Sequence, residues 1–109
     1  MTVKEIIERL DLQCLNEVNL EAEVTGAYAS DLLSDVMGNA RGGQVWITMQ
    51  THKNVTAIAS LKDIPAVIIV RSGVPDADML QHARDEEICL LVSKDATFEV
   101  CGKLYELIK

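Results

Sequence analysis

Three observations predict an α/β protein of three layers with a mostly parallel sheet. From Val24 to the end, segments of strand character alternate with segments of helical period, joined by short connections. Two strand segments, Ala66–Val70 and Ile88–Val92, are uninterrupted apolar runs, as expected of strands covered on both faces. The 109 residues are 49% hydrophobic and 25% charged, without repeat, linker or low-complexity segment, which suits one domain over residues 1–109 with one core.

Each element has its own local reason. Thr2 followed by Glu5 has the form of a capping box, and Val3, Ile6, Ile7 and Leu10 share a face, so residues 3–10 read as a helix. Asp11–Asn16, with Leu12, Cys14 and Leu15, reads as a short strand, and the polar 17–23 as a loop. Val24–Tyr28 is a second strand with a tight passage at Gly26. Ser30 is placed as the N-cap of the next helix, Asp31 at its positive end, and Leu32, Leu33, Val36 and Met37 as its apolar stripe. That helix ends near Gly38-Asn39, and Arg41-Gly42-Gly43 makes a turn. Gln44–Met49 reads as a strand in which Val45, Ile47 and Met49 alternate with Trp46 and Thr48. Thr51 or His52 opens a helix facing inward through Val55, Ile58, Ala59 and Leu61, and Pro65 stops it. After Ala66–Val70, Ser72-Gly73 turns the chain and Pro75-Asp76 begins a charged helix with Met79, Leu80 and Ala83 inside. Ser93–Asp95 leads into a last helix whose inner face is read as Phe98, Cys101, Leu104, Tyr105 and Ile108.

Composition removes several classes of function. The net charge of −7 opposes binding to phosphate backbones or anionic bilayers, so neither a nucleic acid nor a membrane is expected as partner. Cys14, Cys89 and Cys101 are odd in number, widely spaced and set among apolar neighbours, which reads as core packing rather than a disulfide framework. Without a leader-like start or a long apolar run, the chain is expected in the cytoplasm.

Glu23-Val24-Thr25-Gly26-Ala27, Ser30-Asp31-Leu32-Leu33-Ser34-Asp35-Val36-Met37 and the later Gly42-Gly43-Gln44-Val45-Trp46-Ile47-Thr48 resemble the DRTGG domain over essentially the whole chain. Thr25-Gly26 keeps the centre of the motif; Val24 stands for its arginine and Ala27 for its last glycine. The resemblance implies a fold similar to the N-terminal domains of HPr kinase/phosphorylase and of the Mur ligases, where that domain helps to hold a uridine nucleotide. It also implies a regulatory or dimerising role, since such domains sit beside CBS domains in regulated pyrophosphatases and beside phosphotransacetylase domains.

The residues themselves argue against a kinase. None of the six glycines begins a G-x-x-x-x-G-K-[ST] pattern, and no Asp/His cluster suits two metals. No catalytic residue, metal or cofactor is expected. Ser30, Asp31 and His52 could meet as a nucleophile and base, but a cap and a first-turn histidine account for them. Asp31 and Asp35 read as an exposed helix face and His82 as solvated. In an open parallel sheet, ligands sit beyond the carboxyl ends of the strands. The loops assigned there carry Thr25, Gly26, Thr48, Gln50, Thr51, His52, Ser72, Gly73, Ser93 and Lys94, with Ser30 beside them. Small, polar and rich in hydroxyls, this set suits a nucleotide or another phosphorylated metabolite; loops that bind nothing look the same. Tyr28 and Trp46 have two readings, as core or as anchors of a homodimer.

Three functions follow: a regulatory or dimerising module that senses such a ligand and acts on a protein partner, a small phosphate-handling enzyme, or a structural subunit.

Overall fold

The computed structural model describes residues 1–109. In chain order the elements are α1 (Val3–Leu10), β1 (Gln13–Cys14), β2 (Gly26–Ala29), α2 (Leu33–Asn39), β3 (Gln44–Thr48), α3 (Lys53–Leu61), β4 (Ala66–Ile69), α4 (Ala77–Asp85), β5 (Cys89–Val92) and α5 (Thr97–Ile108). They form one five-stranded sheet in the order β1-β5-β4-β3-β2. The pairs β2–β3, β3–β4 and β4–β5 are parallel, and β1 runs antiparallel to β5 with Gln13 opposite Val92. No helix is long and apolar enough to cross a membrane.

The sheet is buried on both faces because alternate residues of its central strands enter two cores. Val45, Ile47, Ala66, Ile68, Cys89 and Leu91 meet α1 and α5 through Val3, Ile6, Leu10, Val100 and Leu104. Trp46, Val67, Ile69, Leu90 and Val92 meet α2, α3 and α4 through Val36, Val55, Ala59, Met79 and Ala83. The uninterrupted apolar runs therefore have their physical cause: in β4 and β5 every residue is buried.

The capping box forms as read. Glu5 N–H donates to Thr2 Oγ1 at 3.2 Å, and Thr2 N–H donates to Glu5 Oε1 at 3.1 Å. At β1, pairing is extended by a side chain. Buried Asn16 donates from Nδ2 to Ile88 O at 2.8 Å and accepts from Leu90 N–H at 2.6 Å, doing for β5 what a third residue of backbone would do.

Several expectations are corrected. β2 starts two residues and ends one residue later than read, and Gly26 opens the strand rather than turning the chain. Ser30 does not cap α2, whose N-cap is Leu32; its Oγ accepts instead from Leu32 N–H at 3.2 Å, in a local turn before the helix. Leu32 and Met37 are exposed, so α2 faces inward mainly through Val36, with Leu33 packed beside it. Met49 and Leu61 are also exposed. The inner face of α5 is Val100 and Leu104, whereas Phe98 and Tyr105 point outward. Trp46 is fully buried and its Nε1–H donates to Ser30 O at 2.8 Å, so it is core and not an anchor. Tyr28 is half-buried against the same core and donates to Asp35 Oδ1 at 2.8 Å. His82 is not solvated: its Nδ1 is 2.9 Å from the hydroxyl of buried Thr56.

Candidate functional site

The three helices on one face and the two on the other decide where the sheet opens. β4 runs into α4 on one face, while its neighbour β5 runs into α5 on the opposite face. Their loops leave toward opposite faces over the carboxyl ends of the strands, the edge where the crevice of an open α/β sheet takes its ligands.

Two non-glycine residues in succession, Arg71 at φ 56° and Ser72 at φ 55°, hold the left-handed conformation in the β4–α4 loop. Such residues cost about 1–3 kcal/mol each and persist only where their surroundings hold them. Here the β5–α5 loop does so: Arg71 N–H donates to Asp95 O at 2.9 Å and Ser72 N–H to Ser93 O at 2.7 Å. Ser93 is itself buried, with its N–H on Ile69 O at 2.9 Å and its Oγ accepting from Asp95 N–H at 3.1 Å. Gly73 is required beside it, because a Cβ there would stand 2.6 Å from Ile69 Cγ2.

Beside these loops Lys94 and Lys103, with the carboxylates of Asp95 and Asp11, edge a hollow of about 130 Å³ floored by Ser93 and Leu10. Lys103 is bound to Asp95 at 2.6 Å, an arrangement that raises the lysine pKa. Arg71 and Lys94 are exposed and enter no ion pair. The first turn of α5 follows directly, its N-cap Ala96 offering no side-chain acceptor. Phosphate oxygens find in such a place both charge and N–H donors.

The neighbouring loop is tied down by Asp31. Its Oδ1 accepts from Thr48 Oγ1 and from Met49 N–H, each at 2.8 Å, and its carbonyl accepts from Gln50 Nε2 at 3.1 Å. Gln50 N–H donates to Thr48 Oγ1 at 3.1 Å. Asp31 therefore clasps the end of β3 rather than serving the dipole of α2. Beyond it, His52 Nδ1 lies 2.8 Å from Asp76 Oδ2, both exposed, and Asp76 N–H donates to Thr51 O at 2.9 Å. Asp76 fixes the imidazole through Nδ1 and leaves Nε2 as its outward nitrogen.

Of the residues assigned to this edge, Ser72 and Ser93 are joined by the backbone bond between the two loops, Ser93 and Lys94 line the hollow beside α5, and Gly73 lines another with Val74, Pro75 and Val92. Ser30, Thr48, Gln50, Thr51 and His52 lie beside these loops on the Asp31 and Asp76 clasps. Thr25 and Gly26 do not belong there. Gly26 begins β2 and Thr25 directly precedes it, so they stand at the amino edge of the sheet, where Thr25 N–H donates to Gly43 O at 3.0 Å. Arg71, Asp76, Asp95 and Lys103 were not singled out from the sequence. Arg71 was within reach, since it directly follows a buried strand run and precedes Ser72-Gly73; Lys103, two turns along α5 from Asp95, was not.

The largest hollow, about 300 Å³, lies at the amino edge among Asn19, Asp63, Glu86 and Glu87, and its carboxylates suit no phosphate. No group of three or more His, Cys, Asp or Glu side chains is placed to hold a metal ion.

No family model matches the chain. It is 31% identical, over 121 aligned positions, to the HPr kinase/phosphorylase of Streptococcus uberis; the match covers 95% of this chain and 39% of that protein. The chain thus spans well under half the length of this relative. In structure it is similar to the CBS and DRTGG domains of the regulatory region of Clostridium perfringens pyrophosphatase, complexed with the activator diadenosine tetraphosphate. The TM-score is 0.67 at 9% identity, over 94% of this chain and 47% of that one. The α/β fold read from the sequence, and its likeness to DRTGG and HPr kinase-type domains, are borne out.

Proposed function

We propose that this DRTGG-like domain is a non-catalytic regulatory module of the cytoplasm, which binds a nucleotide or phosphorylated metabolite between the β4–α4 and β5–α5 loops. As a homodimer it passes that occupancy to a protein partner. The observation that carries the reading is the strained Arg71–Ser72 pair braced against the β5–α5 loop, with one exposed cation outside any ion pair on each loop, Arg71 and Lys94. A phosphate group accepts from the guanidinium and the ammonium together, with α5 adding the positive end of its dipole. Because the same backbone bonds link the two loops, occupancy bears on the starts of α4 and α5 at once. The structural neighbour, a regulatory region holding a dinucleotide activator, agrees in kind.

The test is thermal unfolding against adenine, guanine and uridine nucleotides and sugar phosphates. A binder of the native state adds about 2.7 kcal/mol at a hundredfold excess over its dissociation constant. The expected result is a dose-dependent rise for one phosphorylated class, reduced in Arg71→Ala and abolished in Arg71→Ala/Lys94→Ala. A flat response to every compound refutes the sensor and leaves a structural subunit.

A phosphate-handling enzyme is favoured by one feature, the His52–Asp76 pair, since a carboxylate-oriented imidazole is a general base in waiting. Turnover of a phosphorylated compound that disappears in His52→Ala would establish that alternative; no turnover in the native chain removes it.

A further inference from the structure

Two of the three thiols meet inside the fold. Cys14 Sγ and Cys89 Sγ stand 3.6 Å apart across the β1–β5 pair, although the residues lie 75 positions apart in the chain. Cys14 ends β1 and Cys89 opens β5, so the pair sits at the amino edge of the sheet. It is independent of the loops proposed to hold a phosphorylated ligand. Cys101, half-buried on α5, has no such sulfur neighbour.

The two sulfurs differ in access. Cys89 is fully buried, and burial, followed by Cys14 beside it, pushes its thiol up to about 12, so it stays protonated at neutral pH. Cys14 is half-buried and borders a hollow of about 220 Å³ edged by Lys4, Ile7, Glu8, Glu17 and Leu20. A small uncharged oxidant therefore reaches Cys14 from outside, whereas Cys89 is reached only through Cys14.

The surroundings also allow the two to join. Both thiols donate to one carbonyl, Asn16 O, Cys14 Sγ at 3.2 Å and Cys89 Sγ at 3.4 Å. That oxygen also accepts from Val18 N–H at 3.0 Å, so it keeps a partner when both S–H groups are lost. A disulfide needs its sulfurs at about 2.05 Å, about 1.5 Å closer than these. β1 is two residues long and stands at the edge of the sheet, so it can move that distance toward β5, which is held between β1 and β4.

We propose that Cys14 and Cys89 are a reversible thiol modification site for peroxide-class oxidants, with Cys14 the attacking sulfur and Cys89 the resolving one. Cys14 Sγ attacks one oxygen of hydrogen peroxide; the O–O bond breaks, the leaving oxygen departs with the thiol proton as water, and Cys14 becomes a sulfenic acid. Cys89 Sγ then gives up its proton and attacks Cys14 Sγ; the S–S bond forms, the S–O bond breaks, and the leaving hydroxide takes that proton as a second water. Each sulfur has lost one electron and the peroxide has gained two. Because Cys89 is protonated until this second step, closure is slower than the labelling of an exposed thiol.

The test treats the native full chain with hydrogen peroxide at neutral pH, blocks the remaining thiols by alkylation, and maps the peptides without reductant. The expected product is a Cys14–Cys89 linked peptide, with both residues closed to alkylation and both thiols restored by dithiothreitol. In Cys89→Ala the second step is lost, so Cys14 should stop at the sulfenic acid and take up dimedone, which the native chain should not. Cys101→Ser should form the same linkage as the native chain. Sulfinic acid at Cys14 with Cys89 still free, or a linkage of Cys14 to Cys101 in place of Cys89, overturns the proposal. So does a native chain whose Cys14 and Cys89 both remain free in excess peroxide. These outcomes are read on the native chain, so they decide the matter whether or not Cys89→Ala folds.

Discussion

Replacing Asn16 by Ala tests how a strand of two residues holds one edge of the sheet. Asn16 is 7% exposed and supplies two bonds to β5, one to Ile88 O and one from Leu90 N–H. Truncation leaves both backbone groups without partners beside fully buried Cys89. A buried group left unpaired costs about 1–3 kcal/mol. With two such groups, and some relief from water entering beside half-buried Cys14, the loss is about 3 kcal/mol. Domains of this size have about 5–15 kcal/mol in total, and each kcal/mol moves the melting midpoint by about 4–8 °C. The midpoint should therefore fall by more than about 12 °C. Urea unfolding gives the free energy directly, provided that the slope of the transition is unchanged. Gln13→Ala, on the exposed side of the same strand, is the comparison and should stay within about 0.5 kcal/mol. A loss below about 1 kcal/mol for Asn16→Ala would refute the idea that its amide stands in for missing strand.

Three further outcomes follow from the geometry. Gly43 has φ +86°, and a Cβ there would lie 2.8 Å from Thr25 Oγ1; Gly43→Ala should cost about 2 kcal/mol or more, whereas Gly38→Ala, whose Cβ meets nothing, should add about 0.5–1 kcal/mol. Urea midpoints moving in the same direction for both would contradict this. The Tyr28 hydroxyl, then those of Ser30 and the amide of Asn39, hold the Asp35 carboxyl below the usual carboxylate range. Its contribution is therefore full above the unfolded value of about 3.9 and is lost as pH falls through that value toward the lowered folded one. Tyr28→Phe should flatten this acid limb in denaturation followed from neutral to low pH, and an unchanged limb would remove Tyr28 as the cause. Burial, followed by the neighbouring Cys14, pushes the Cys89 thiol up to about 12. An aromatic disulfide reagent near pH 8 should leave Cys89 untouched in the folded chain and titrate all three thiols in denaturant; three fast thiols without denaturant would show that the core opens readily.

What could be read from the sequence was whatever local physics decides alone. The capping box of α1 and the doubly buried runs of β4 and β5 needed no knowledge of their neighbours. Ser30 is the opposite case. Its hydroxyl suits an N-cap, but the chain stays extended through Ala29 because β2 pairs with β3 as far as Ile47, and Ser30 O is needed by Trp46. A tertiary bond outbid a local preference, and Asp31 went with it to the end of β3. The crevice was half legible for a similar reason. Hydroxyls and glycines after strands mark loops, yet nothing in Arg71 or Ser72 announces a left-handed conformation, which exists only because Ser93 and Asp95 accept their N–H groups.

Helix α5 shows a correct period with a face misread only at its two aromatics. Of the inner face read as Phe98, Cys101, Leu104, Tyr105 and Ile108, Leu104 is fully buried and Cys101 and Ile108 pack half-buried against the same core, while Phe98 and Tyr105 face out. Val100 completes the buried side, so the stripe is rotated from the aromatics toward Val100 and Leu104. Period alone could not choose between overlapping arcs that share Leu104; the rotation is decided by what the helix packs against, the Val45, Ile47 and Ile68 side of the sheet, which takes Val100 and Leu104 and leaves Phe98 and Tyr105 in solvent.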